Sequence, residues 1–176
     1  MYKEKLMPLL NRNPQNTNPL QPTKFLLTFS RIQTVQYFCQ EINLPGVSLG
    51  EVLRDTPFLD MYSPGTKLSY DPLAISFVID EELESWKNIY NWFTSIADPD
   101  GFEKRNDNRE LQTNKHFSDA HLTILSALNN PLLRIEFTNV FPLSLSDIQF
   151  DTKSSADSII TATATFRYQS YKYLTL

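Results

Sequence analysis

Two stretches of this chain alternate apolar and polar side chains with a period of two, and they constrain the fold more than any other feature. In the first, Leu73, Ile75, Phe77 and Ile79 alternate with Ala74, Ser76 and Val78. In the second, Ile160, Ala162, Ala164, Phe166 and Tyr168 alternate with Thr161, Thr163, Thr165 and Arg167. Successive strand side chains point to opposite faces, so each stretch predicts a strand buried on one side. A third such stretch sets Leu133, Ile135, Phe137 and Val140 against Arg134, Glu136 and Thr138. Apolar runs in Phe25–Phe29, Gln36–Leu44 and Ala120–Ser126 predict further strands. Turns are expected at Leu44-Pro45-Gly46, Pro64-Gly65 and Asn129-Asn130-Pro131, and Phe141-Pro142 is expected to break a strand. Leu143–Phe150 then leads into a hairpin turn over Asp151–Ser158.

One segment has the helical period. Asp80 reads as its N-cap, with Glu81, Glu82 and Glu84 placed where the helix dipole favours negative charge. Leu83, Trp86, Tyr90, Phe93 and Ala97, joined by Ile89 and Ile96, form an apolar stripe, and Asp98-Pro99-Asp100-Gly101 ends the helix. Trp92 falls off that stripe and is expected to be exposed, where a Trp more often marks a protein interface than a ligand site. With no βαβ alternation and no internal repeat, the fold class is α+β, mainly β, with one helix covering a face or end of antiparallel sheet.

Residues 1–23, with Pro8, Pro14, Pro19 and Pro22 separated by asparagines, are expected to be an extended N-terminal arm ordered by contact with something else. Residues 24–176 form one domain. At 176 residues, folding buries roughly 70% of the unfolded surface, enough for one core. Residues 102–119 are polar without period and predict a long surface loop. Val47–Leu53 and Phe58–Tyr62, reversing near Thr56-Pro57, predict a hairpin arm carrying more apolar surface than a solvated hairpin should.

The charge balance of 16 Lys and Arg against 20 Asp and Glu gives −4, which argues against a nucleic-acid-coating surface. No apolar run is long enough to span a membrane, and the proline-broken start of the chain is not expected to be a signal peptide. A lone Cys39 excludes an intramolecular disulfide framework, which fits a reducing cytoplasm. The four glycines form no phosphate-cradling loop. His116 and His121, five apart, fall on opposite faces of a strand, so no metal site is expected. Cys39, inside an apolar run, reads as a small hydrophobe rather than a nucleophile. The helix dipole already accounts for Glu81, Glu82 and Glu84. Nothing here predicts an enzyme, a cofactor or a metal.

As ordered blocks, the chain resembles the tail-tube family of contractile-tailed bacteriophages. The blocks are Lys24–Phe29, Ile42-Asn43-Leu44-Pro45-Gly46, the arm 47–63, the strand Tyr70–Asp80 running into the helix with Tyr90-Asn91-Trp92, then Asn139–Ser144, Phe150-Asp151 and the closing Thr-rich strand ending Phe166-Arg167-Tyr168. It is most similar to the baseplate tube-initiator branch, where a Tyr-Asp-Pro-Leu-x-Ile-Ser-Phe strand, an Asp-Pro after the helix and a terminal Thr-Phe-x-Tyr strand also occur. That branch usually carries a large insertion before its second strand block. This chain instead runs directly from Ser30 to Gln36, and is closer in length to an ordinary tube subunit.

The resemblance implies two packed antiparallel sheets, a small sandwich or barrel, with one flanking α-helix and an extended β-hairpin arm. It implies a structural virion protein made in the host cytoplasm: a hexameric ring of the tail tube or its baseplate-proximal initiator. Its partners would be other copies and tube, baseplate or sheath proteins, with no membrane and with DNA only as transiting cargo. Val52, Leu53, Phe58, Leu59, Met61 and Tyr62 of the arm, and Trp92, are the expected inter-subunit contacts. Thr161, Thr163 and Thr165 are candidates for the channel lining, with Arg167 at the rim or paired with a neighbour's carboxylate. The rival readings are a head-proximal tube terminator, the tube of a related secretion machine, and a monomeric β-sandwich binding a ligand or glycan.

Overall fold

The computed structural model describes residues 18–32, 34–97, 116–153, 155 and 158–176. Most of the expected N-terminal arm and most of the 102–119 loop therefore lie outside the described residues.

Five strands build the core. They are β1 (Phe25–Phe29), β5 (Leu73–Val78), β6 (Ser118–Leu125), β7 (Pro131–Leu145) and β8 (Thr161–Arg167). With β2 (Cys39–Ile42) they form one antiparallel sheet in the order β1-β6-β7-β8-β5-β2, and β9 (Ser170–Thr175) also pairs with β7. The alternations expected in β5 and β8 match the structure: Leu73, Ile75, Phe77, Ala162, Ala164 and Phe166 are all buried, while Ala74, Ser76 and Val78 between them are half-buried and Thr161 and Thr163 are exposed. Burying each large apolar side chain contributes roughly 1.5–3 kcal/mol.

β7 is the hinge of the architecture. Its first half lies between β6 and β9, and its second half pairs with β8. Asn139 sits in the left-handed region (φ 54), and the β6 pairing slips between Phe137 and Val140. The bulge moves the inward positions from Ile135 and Phe137 to Val140 and Pro142, which are all buried. Asn139 N–H donates to Asp119 Oδ1 (3.3 Å) and its side-chain amide to Gln169 Oε1 (2.7 Å), pinning the bend. The sheet curls over itself there, so that Phe29 of β1 meets Phe166 of β8 with ring centroids 5.0 Å apart. Pro142 does not break the strand as expected. It pairs opposite Phe166 beside a second irregularity, where the ladder tolerates a missing N–H.

β1 and β2 are left as open edges, so the barrel does not close. α1 (Thr34–Phe38) fills that gap, and it replaces the first half of the strand expected over Gln36–Leu44. A chain with no neighbouring strand must satisfy its backbone internally, and one helical turn does so while Val35 goes fully into the core.

α2 (Glu84–Ile96) begins later than the Asp80 cap implied. Leu83 adopts a left-handed conformation (φ 56), and the Asp80 carboxylate reaches past it to accept from the N–H groups of Glu84 (2.9 Å) and Ser85 (3.2 Å). Asp80 is thus the capping side chain, four residues ahead of the first residue of the helix. The buried face is Ser85, Ile89 and Trp92. Trp92 is 1% exposed, corrected from the expected exposed position, with its ring 5.9 Å from Phe166 and its Nε1–H donating to the carbonyl of His116 (3.0 Å). Trp86 is only half-buried and stacks on exposed Tyr90 (5.3 Å, 8°).

β3 (Val47–Arg54) and β4 (Met61–Tyr70) form a separate two-stranded sheet. Pro64-Gly65, expected as a turn, lies inside β4, where the ladder slips opposite Gly50. A Cβ on Gly65 would stand 2.5 Å from the Gly50 carbonyl oxygen, so the backbones approach too closely there for any other residue.

Candidate assembly surfaces

The hairpin is tied to the main sheet at its base and, among the described residues, is mostly exposed beyond it. At its base, Asp71 N–H donates to the Gly46 carbonyl (3.1 Å), and Arg167 Nη1 donates to the Tyr70 carbonyl (2.9 Å). Arg167, expected at a rim or on a neighbour's carboxylate, serves as a clamp on the hairpin's root within its own protomer. Tyr168 donates to the Asp71 carbonyl (2.9 Å), and Tyr70, Tyr168 and Tyr171 pack ring to ring at 5.3–6.0 Å. Burial, then the neighbouring Tyr171, Asp71 and Tyr70, push the Tyr168 phenol up to about 12, so it stays protonated and donating.

Beyond this root every residue of β3 is exposed, as are the apolar side chains at the tip. Phe58 is 99% and Leu59 70% exposed, and Val52, Leu53, Met61 and Tyr62 are all open to solvent. Leu68, which the shorter arm read from the sequence omitted, joins them, as do Val47 and Leu49. The tip is shaped by Thr56, whose hydroxyl bonds the Leu59 carbonyl and accepts from the Leu59 N–H (3.3 Å). Apolar surface of this extent on a separate two-stranded sheet makes the hairpin a candidate contact surface.

A second surface is the outward face of β5 and β8. Register places Ser76 beside Thr163 and Ala74 beside Thr165, with Ser144 bonded to Thr165 through their hydroxyls and Ser146 Oγ accepting from the Thr163 N–H (3.0 Å). Thr161 and Thr163 are exposed and Thr165 is half-exposed. Glu41, opposite Ser76, is the charged residue that β2 adds to this row.

No cluster of three or more His, Cys, Asp or Glu occurs among the described residues. His121 lies in mid β6, paired with Thr28 and Glu136, while His116 precedes the strand. Cys39 opens β2 rather than lying inside a long strand; burial pushes its thiol up to about 11, against the smaller opposing pull of a backbone hydrogen bond at Glu41. A thiol held there is a poor nucleophile.

Residues 12–174 match the phage tail tube protein family. The chain is 24% identical to the tail tube terminator protein of Enterobacteria phage T4 over 163 residues, covering 88% of this chain and 89% of that protein. In fold it is similar to a chain of the anti-feeding prophage cap, described as a tube terminating cap, with TM-score 0.66, 16% identity and coverage of 97% and 100%. It is also similar to a chain of the anti-feeding prophage baseplate, with TM-score 0.62, 14% identity and coverage of 90% and 97%. The family match spans nearly the whole chain, and the chain belongs to the phage tail tube protein family.

Proposed function

We propose that this protein is the ring that ends a contractile tail's tube on its head-proximal side. The observation that carries this is the near full-length relationship with a tail tube terminator, which favours that role over the initiator role that the sequence blocks resembled. The fold is shared by chains from both ends of such assemblies and does not by itself choose between them. Six copies would close the ring through their hairpins, with the hydroxyl face of β5 and β8 turned to the channel and DNA passing as cargo. Tube, sheath and baseplate-type proteins are the class of neighbours, and residues 1–23 would be ordered against one of them. The role is structural, without catalysis, in a virion protein made in the host cytoplasm. The exposed hairpin disfavours a monomeric ligand-binding sandwich, because such a module has no use for an uncovered apolar arm.

Gold labelling of purified tails with an antibody to this chain tests the position. Label at the head-proximal end supports the terminator reading. Label at the baseplate would return the initiator reading, and label along the shaft would make it a tube subunit.

A further inference from the structure

We propose that residues 6–10, Leu6-Met7-Pro8-Leu9-Leu10, add to the open edge of β1 as a short antiparallel strand within the same protomer. Leu125 N–H donates to the Lys24 carbonyl (3.0 Å) and Ser30 N–H to the Asp119 carbonyl (3.0 Å), so the even-numbered residues from Lys24 to Ser30 turn their backbone groups to β6. Phe25 and Leu27 turn theirs the other way, where no strand pairs with β1 among the described residues. Such edges are normally guarded by a charge, a proline or a bulge. The edge strands β2 and β9 carry Glu41 and Lys172, whereas Phe25–Phe29 has no charged residue, no proline and no register shift.

Beside this edge lies a groove of about 250 Å³. Phe25, Leu26 and Leu27 form one wall and Gln36, Cys39 and Gln40 the other, with Pro22 and Thr23 completing it. Its polar side chains, those of Thr23, Gln36 and Gln40, are uncharged, which suits a neutral segment that brings its own backbone amides. Residues 6–10 are the one apolar run in residues 1–17, and the nearest charges, Lys5 and Arg12, stand outside them. Pro8 sets the register. It has no N–H, so its nitrogen must face the unpaired side of an edge strand. Met7 and Leu9 then exchange backbone bonds with Leu27 and Phe25. In that register Met7 and Leu9 share the face of buried Leu27 and enter the groove, while the Pro8 ring lies beside Leu26, which is 43% exposed. A proline on the new outer edge also stops further pairing.

Chain direction and reach place the strand on its own protomer. The antiparallel direction brings Leu10 out at the Lys24 end of β1. Asn18 stands at that same end, lining a cavity with Leu125 and Leu128, and Lys24 N–H donates to the Gln21 carbonyl (3.3 Å) in the turn that leads into β1. Seven residues separate Leu10 from Asn18 and reach roughly 23 Å when extended, against roughly 14 Å for the three strand spacings to be crossed. The tether keeps the local concentration of this strand high at its own groove. The seat takes residues 6–10 alone and leaves the rest of the arm for the neighbours assigned above. It does not depend on where along a tail the protein stands.

Amide exchange and a thiol probe on the full chain test this. The N–H groups of Phe25 and Leu27 should be protected alongside those of Leu26 and Thr28, which bond β6. Leu9→Pro removes an N–H aimed at β1, and should speed exchange at Phe25 and Leu27 at least about tenfold while Leu26 and Thr28 keep their protection. Pro8→Ala should change neither pair. Cys39 is the chain's one cysteine, so a second thiol reports the seat directly. On mild oxidation Met7→Cys or Leu9→Cys should bridge to Cys39 within a monomer, and Pro8→Cys, on the opposite face, should do so at least about tenfold more slowly. Disulfide-linked dimers would assign the strand to a second copy and overturn the seat on its own protomer. Unchanged exchange in Leu9→Pro, no bridge from either position 7 or position 9, or a Pro8→Cys thiol that bridges as fast as its neighbours would each remove the added strand altogether.

Discussion

Trp86 and Trp92 lie on the same helix, yet only Trp92 is in the core, and its neighbours explain why. Ser85 is fully buried one position before Trp86, so the face that meets the sheet runs through Ser85, Ile89 and Trp92. Reading apolar residues alone selects Trp86, Tyr90 and Phe93, because a buried serine gives no hydrophobic signal. Arg31 lies over the Trp92 ring at 5.4 Å and donates to Ser95 Oγ (2.9 Å), closing the site further. Trp92→Ala should therefore destabilise the protomer by about 3–5 kcal/mol, and Trp86→Ala by about 1–2 kcal/mol, in urea denaturation. Equal losses would contradict the assignment. The Asp80 cap was legible, but the left-handed Leu83 it spans was not, since nothing in a leucine signals that conformation. Asp80→Ala should cost about 1 kcal/mol. Burial raises the Asp80 carboxyl pKa, but its bonds to the Glu84 and Ser85 N–H groups outweigh this and hold it below the usual 3.8. A group depressed in the folded state stabilises at pH above its unfolded value. The difference between parent and Asp80→Ala should therefore be full above about pH 4 and shrink as pH falls below it.

Among the elements, β5 and β8 were readable residue by residue, because each is fully buried on one face and at most partly covered on the other. Prolines and glycines misled where the sheet is irregular. Pro142 and Pro64 both read as breaks, and both lie within strands at slipped registers, where no ladder bond is lost. A register slip depends on the partner strand, so it leaves no local trace in the sequence. The hairpin's apolar surplus was legible, whereas its full length was not. Two predictions belong to this element. Replacing Phe58 and Leu59 together by Asp should abolish assembly with the circular dichroism spectrum unchanged, since neither side chain contributes to the core. Gly65→Ala should force the strands apart at Gly50, giving faster amide exchange across β3 and β4 while β5 and β8 keep their protection. Slow exchange in the hairpin of that variant would show that the close approach is not required.

For the whole molecule, if the proposed ring turns the outward face of β5 and β8 to its channel, that face would decide what the ring offers to a passing polyanion. Thr161, Thr163, Thr165, Ser76, Ser144 and Ser146 present hydroxyls, with those of Ser144 and Thr165 bonded to each other and Glu41 adding a negative charge. Arg167, the cation at the end of the row, is held on the Tyr70 carbonyl and is not directed at a groove of phosphates. Each Lys or Arg held on a phosphate adds affinity that falls steeply with salt, and in a conduit that affinity acts as friction. A wettable, nearly uncharged wall avoids it, and the net charge of −4 works in the same direction. The alternation in β8 made these threonines legible as one face, but which way a ring turns that face is not written in a single protomer's sequence. The assembled protein should accordingly give no mobility shift with duplex DNA at physiological salt. Replacing Thr161, Thr163 and Thr165 by Lys should create one whose midpoint falls steeply as salt rises, with a slope that reports the added phosphate contacts. Binding by the parent with such a slope would defeat the conduit reading. A silent triple-lysine variant in intact rings would place the hydroxyl face somewhere other than the channel.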